Sequence, residues 1–257
     1  MKKRDILKCV LCLMIIVSGG LLSSCDKKED LEEVPNPTEE PIVEMTPEPT
    51  IDSTVPTVET DPVFEETVDL TSLESINILV NKTHALPEDY VPSDLVKPNV
   101  HCMKDSIELK EEAALAIEEM FNAAEEAGYS LSIGSAYRSY NYQKNLYNNY
   151  VKRDGEEAAN RYSAKPGQSE HQTGLAVDLA RKDGYCYLSG CFKETDEGKW
   201  LNENAYNYGF ILRYPEGKEE ITGYIFEPWH YRYVGKEEAL KIYQSGLTIE
   251  EYYEVLD

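Results

Sequence analysis

The chain has 257 residues carrying 25 basic and 48 acidic side chains, a formal net charge of −23. Nothing in that balance forms a basic patch, so the counterion release that drives phosphate-backbone binding is missing and nucleic acid is not an expected partner. The acidity fits solubility, or plain composition bias.

In chain order, residues 1–24 come first. Met1 to Lys8 holds four basic groups, Cys9 to Val17 is a continuous apolar run, and Leu22-Ser-Ser-Cys25 has the pattern of a lipoprotein cleavage site. The segment resembles a bacterial lipoprotein signal peptide; it is too short for a stable transmembrane helix. Cys25 is then the lipidated first residue of the mature chain, and diacyl anchoring would hold it to the membrane's extracytoplasmic face. An uncleaved anchor would leave the rest of the chain on the same side.

Residues 25–70 follow as an acidic, proline-rich linker. From 26 to 70 there are 15 acidic and 2 basic side chains and seven prolines, with little apolar periodicity. Such a stretch cannot bury enough surface to offset its ordering entropy, and disorder is expected. It would span roughly 40 Å as a flexible coil and up to about 140 Å if extended. It reads either as a stalk or as a spacer whose length matters little.

Residues 71–257, with 19 basic and 32 acidic groups, suffice for one domain with its own core. Glu108 to Ala127 places Leu109, Ala113, Ala116, Ile117, Met120, Phe121 and Ala124 on one helical face, and Gly128 supplies a stop. A strand is expected at 131–136, then helices at 142–152 and 156–161, with Ser139 or Asn141 as a cap before the first. Gly174 to Ala180 alternates as a half-buried strand, with Leu175, Val177 and Leu179 on one side and Ala176, Asp178 and Ala180 on the other. Residues 200–208 read as a helix stopped by Gly209. Strands at 210–214 and 224–234 are expected to pair around 215–223. Helices at 236–244 and 248–251 close the chain, the last with the capping-box spacing of Thr248 and Glu251. The sum is an α+β fold, a small mostly antiparallel sheet flanked by helices.

Two stretches carry chemistry: Ser169-Glu-His-Gln-Thr-Gly-Leu-Ala-Val-Asp178 and Glu227-Pro-Trp-His230. Zinc favours imidazole nitrogen and carboxylate oxygen, and a catalytic site has three protein ligands with a fourth position for water. His171, Asp178 and His230 meet that requirement and leave about +1 on the metal unit, enough to lower the pKa of water there toward roughly 7. Glu227 remains free as a base. Small residues beside Asp178 leave the clearance a metal needs. Glu227 and His230, three apart, would face opposite sides of a regular strand; Pro228, which cannot donate to a ladder, marks an edge, bulge or bend that reconciles them. His84 and His101 have no ligand-type neighbour at useful spacing and are not assigned.

With Ser135-Ala-Tyr-Arg138-Ser-Tyr-Asn-Tyr-Gln143 upstream and Trp200 to Pro215 downstream, the pattern over roughly residues 75–245 resembles the VanY-type D-alanyl-D-alanine carboxypeptidases. These are zinc peptidases, a group that includes L,D-carboxypeptidases. The resemblance implies His171, Asp178 and His230 as metal ligands, Glu227 as catalytic base, and Arg138, Gln143 and Ser169 as groups around the substrate. None of these seven positions departs from the family pattern. Residues 71–257 would then be a zinc carboxypeptidase domain that removes the terminal D-Ala from peptidoglycan stem peptides. Glu227 would shuttle the proton, and Arg138 would stabilise the oxyanion or clamp the product carboxylate. D-Ala-D-Ala ends and L,D-linked ends both stay open. The rival is a lipid-anchored wall-binding module without activity; an intact Glu227 speaks against it, because a pure binder needs no base. A monomer is the expected state.

Of the six cysteines, Cys186 and Cys191 bracket a turn and are the expected disulfide, with two free thiols as the alternative; Cys102 is left unpaired. The tyrosines at 137, 140, 142, 147 and 150 read as packing rather than as a glycan platform.

Overall fold

The structure is a computed structural model describing residues 68–255. The expected signal segment, Cys25 and the linker up to residue 67 lie outside the described residues.

Strand β1 (Leu95–Val96) pairs antiparallel with β2 (Leu109–Lys110), a two-stranded ribbon that the sequence did not announce. It takes the first residues of the stretch expected to be helical, so helix α1 starts at Glu111 and runs to Glu126. The predicted apolar face of α1 is buried throughout, with Ala113, Ile117, Met120 and Ala124 each fully enclosed. Gly128, at φ +90°, ends the run, and its N–H bonds back to the Glu125 carbonyl at 2.9 Å.

Strand β3 (Leu131–Ser135) is followed by α2 (Tyr140–Asp154) and α3 (Glu156–Tyr162). Of the two expected caps, Ser139 is the one used: its side chain accepts from the Tyr142 N–H at 3.2 Å. A turn of 3-10 helix (Glu170–Thr173) leads into β4 (Ala176–Arg181). Expected to be half-buried, β4 is enclosed on both faces from Ala176 to Ala180. Its place inside the sheet, whose order is β3-β4-β6-β5, explains why.

Helix α4 (Asp196–Asn204) begins four residues earlier than expected because Thr195 caps it, accepting from the Gly198 N–H at 3.0 Å. A separate 3-10 turn (Ala205–Tyr208) completes the predicted span up to Gly209. Then come β5 (Phe210–Leu212), a short helix α5 (Glu219–Thr222) within the connection, and β6 (His230–Tyr233). The expected pairing of the last two strands is present, with Phe210 opposite Tyr233 and Leu212 opposite Tyr231. Residues 224–229 are not strand, in contrast to expectation. The Ile225 N–H bonds the Arg161 carbonyl at 3.0 Å, and Pro228 and Trp229 form a turn. Helices α6 (Lys236–Ser245) and α7 (Ile249–Tyr252) follow, α7 with its full capping box.

All pairings in the four-stranded sheet are antiparallel. Leu175, Val177 and Leu179 join Ile117, Met120 and Phe121 in the main core, while Ile211, Val234, Ile242 and Ile249 make a second cluster under the last two helices. This is the α+β arrangement the sequence led us to expect. Among the described residues, no helix is long and apolar enough to cross a membrane.

Candidate active site

Sheet register brings Asp178 and His230 together. They sit directly opposite one another on β4 and β6, and opposed residues show their side chains on one face. Val177, Leu179 and Tyr231 belong to the core, so the alternation of the strand turns Asp178 and His230 away from it. His171 comes from the 3-10 turn ahead of β4. That turn ends at Gly174, at φ +70°, where an added Cβ would also lie 2.9 Å from the Leu95 side chain. Only glycine suits both demands.

Ligand-type atoms of His171, Asp178 and His230 all lie within 4.8 Å of one another. Asp178 Oδ1 is 3.3 Å from His171 Nε2 and 3.1 Å from His230 Nδ1. Ligands about 2.0–2.2 Å from a tetrahedral zinc would be spaced by about 3.3–3.6 Å, close to these edges. His171 Nδ1 bonds the Ala136 carbonyl at 2.7 Å. A carbonyl only accepts, so Nδ1 carries the proton and Nε2 presents a lone pair. That Nε2 is buried with no hydrogen-bond partner, the kind of orphan that a cation would satisfy. Burial lowers the His171 pKa to about 4, with the Arg138 charge adding and Asp178 opposing; the neutral imidazole is the form a metal requires. The residues present therefore fit a zinc ion.

Glu227 lies outside β6, and the Pro228-Trp229 turn resolves its spacing from His230. The His230 N–H donates to the Glu227 carbonyl at 3.1 Å, folding the acid back until Oε2 is 3.9 Å from His230 Nδ1. Burial pushes the Glu227 carboxyl up to about 7; His230 and Arg138 oppose this, while Asp178 and Glu170 add to it. A carboxyl in that range can both take and return a proton near neutrality.

Arg138 follows β3, its N–H donating to the His171 carbonyl at 3.0 Å. Its Nη1 is 3.8 Å from Asp178 Oδ2, and its Nε is buried without a partner. Gln143, on α2, donates Nε2 to the Ala164 carbonyl at 2.7 Å and leaves Oε1 buried and unpartnered. Ser169 is buried just before the 3-10 turn. All seven side chains singled out in the sequence line one cavity of about 350 Å³.

Other residues of the site went unforeseen. Glu170 is fully buried and its Oε2 accepts from His230 Nε2 at 3.2 Å; its place between Ser169 and His171 was the available signal. Burial alone would raise the Glu170 carboxyl, but Arg213, Arg232 and His230 outweigh it and hold the group below the usual range. Tyr214 lays its ring on His230, centroids 4.8 Å apart. Leu188 reaches the cavity from a loop closed by a Cys186–Cys191 disulfide, and Cys102 is free. The two unassigned histidines are engaged elsewhere, His84 with Asn81 at 3.0 Å and His101 with Ser132 at 2.9 Å. Tyr147 is buried and bonds Asn160, whereas Tyr150 lines the cavity and Tyr142 is exposed.

Comparison with known proteins matches residues 106–236 to the family VanY, D-alanyl-D-alanine carboxypeptidase. YodJ of Bacillus subtilis (strain 168) is 49% identical over 185 residues, covering 70% of this chain and 68% of that protein. The solved structure of the LdcB LD-carboxypeptidase, described as revealing peptidoglycan recognition, is 48% identical at a TM-score of 0.67, covering 71% of this chain and 87% of the other. A variant of the vancomycin resistance D,D-pentapeptidase VanY, solved in complex with Zn(II), is 36% identical at a TM-score of 0.57, covering 69% and 98%. With the His-Asp-His cluster, the buried acid beside it and these similarities in hand, the chain belongs to the VanY family of D-alanyl-D-alanine carboxypeptidases.

Proposed function

We propose that this protein is a zinc carboxypeptidase that removes the C-terminal D-alanine from peptidoglycan stem peptides. The observation that carries the reading is the convergence of His171 Nε2, Asp178 Oδ1 and His230 Nδ1 beside Glu227, in the cavity that also holds Arg138. Zinc held by those three residues would supply Lewis acidity toward the scissile carbonyl and a nucleophilic water at neutral pH.

The chain's own groups do the rest. Glu227 Oε2 takes a proton from the attacking water and returns it to the leaving amine nitrogen. Arg138, with an unpartnered Nε and a fixed charge, binds an anionic oxygen of the substrate, either the terminal carboxylate or the developing oxyanion. The Gln143 amide is pinned through its nitrogen, so its free Oε1 accepts from a substrate N–H. Ser169 offers a hydroxyl on the same wall.

Of the two peptide classes, the tetrapeptide with an L,D-linked end is supported by the 48% identity to LdcB, against 36% to the D,D-pentapeptidase VanY. The D-Ala-D-Ala end is supported by the family as a whole. Incubating the protein with purified tetrapeptide and pentapeptide stems, with and without chelator, and reading products by mass spectrometry tests both. Loss of one D-Ala from either stem in the metal-loaded sample is expected; no cleavage of either would end the proposal. We further propose that a lipid on Cys25 tethers the domain, as a monomer, outside the membrane. Labelling with a clickable fatty acid should mark the native chain and fail on Cys25→Ala; equal labelling of both would remove Cys25 from the anchor.

A further inference from the structure

Glu170 carries no assigned role, yet its carboxylate is the meeting point of three cationic or hydrogen-donating groups. Oε2 faces His230 Nε2 at 3.2 Å, and Oε1 accepts from Arg213 Nε at 2.7 Å and Arg232 Nη1 at 2.9 Å. Arg213 spends its other nitrogens on Glu250 of α7, Nη1 to Oε2 at 2.9 Å and Nη2 to Oε1 at 2.6 Å. Arg232 gives Nη2 to the carbonyls of Ile76 and Ile78 at 2.9 and 2.8 Å. The side chains of Glu170, Arg213 and Arg232 have no solvent exposure, and that of Glu250 only 3%. Two guanidiniums and two carboxylates balance in charge inside the protein. Buried ion clusters of this kind seldom stabilise a fold better than apolar packing would, so folding alone is a weak reason for this one.

Its point of contact with the cavity gives a stronger reason. An imidazole that ligates through one nitrogen must carry its proton on the other, and the partner of the second nitrogen decides this. His230 turns Nδ1 to Asp178 and Nε2 to Glu170. Without a metal both nitrogens face carboxylate acceptors, Asp178 at Nδ1 and Glu170 at Nε2; a cation at the cluster would displace the Nδ1 proton, and Glu170, which can only accept, would keep the other on Nε2. We propose that Glu170 is a positioning residue that orients His230 for metal binding, and that Arg213 extends this hold to Glu250, making helix α7 a support of the metal centre. Glu250 and the 76–78 carbonyls lie outside the residues matched to the family, 106–236. The inference rests on the metal-site reading above.

The test measures zinc dissociation constants by competition with a chromophoric chelator, together with thermal midpoints of the metal-free protein, on the full chain. Glu170→Gln should weaken zinc binding by about 10–100-fold, and Glu250→Gln by a smaller factor in the same direction. Ile117→Val, a core change in α1, should lower the midpoint and leave zinc affinity unchanged. Wild-type affinity in Glu170→Gln, whatever its midpoint, overturns the positioning role; wild-type affinity in Glu250→Gln overturns the extension to α7. Should Glu170→Gln fail to fold, Glu170→Asp, which keeps the charge but shortens the reach to His230 Nε2, is measured in its place with the same two outcomes. If the wild type itself takes up no zinc, it is the metal-site reading that has failed.

Discussion

The histidine-bearing wall of the cavity is built on β4 and β6, where Asp178 and His230 oppose each other and are 3% exposed each. The rim is built from the disulfide-closed loop 186–191 and the outer turns of α2, where Leu188 is 45% exposed and the Arg153 side chain 64%. In the wall, charges meet charges at short range inside a packed sheet, so a displaced atom disturbs several partners at once. At the rim, Arg153 finds its partner in the adjacent Asp154 and faces solvent, where an ion pair contributes little. Under the function proposed above the contrast becomes a division of labour: the wall would set metal binding and proton transfer, and the rim how the peptide is received.

Four experiments can break or sharpen that division. The largest effect belongs to the wall. His171→Ala, or dialysis of the native protein against a chelator, should abolish peptide hydrolysis, with zinc restoring the dialysed protein but not the variant at stoichiometric metal; full activity after verified metal removal would contradict the assignment. Next, Glu227→Ala should keep bound zinc, read by elemental analysis, while turnover falls by about 10²–10⁴-fold. Undiminished hydrolysis would take Glu227 out of the mechanism.

Gly134→Ala probes where wall and rim meet. The added Cβ would overlap the Tyr187 ring, so the ring or the loop that carries it must shift; a cost of about 1–3 kcal/mol is expected, or about 2–4 °C of melting temperature for each kcal/mol. A variant as stable as the wild type would mean that the ring yields freely. Smallest is the rim itself. Reducing the Cys186–Cys191 bridge should raise KM a few-fold through Leu188 while zinc content and kcat stay constant, because the closed loop is short and its entropic constraint slight. A fall in kcat or in bound zinc would show that the rim also governs the wall.

Much of this molecule was legible one segment at a time. The α1 face, the Thr248–Glu251 capping box and the stop at Gly209 rest on contacts between residues a few positions apart, and those local preferences survive in the fold. Less legible were the places where a distant partner overrules the local pattern. Leu109 and Lys110 leave the helix to pair with β1, and 224–229 leave the strand as Ile225 bonds to Arg161. Arg213 and Arg232 had no role assigned from the sequence. Their partner Glu170 lies 43 and 62 residues away.

By itself, then, the sequence determined which residue types were on hand for a metal, an acid–base group and an anion clamp, because chemistry resides in the side chains and their short-range spacing. Only the tertiary structure decided that Nδ1 rather than Nε2 of His230 faces Asp178, that Glu227 swings back beside it, and that α7 is tied to the site through Arg213. Those outcomes depend on the order of strands in the sheet and on long-range ion pairs, which form only once the whole chain has closed around them.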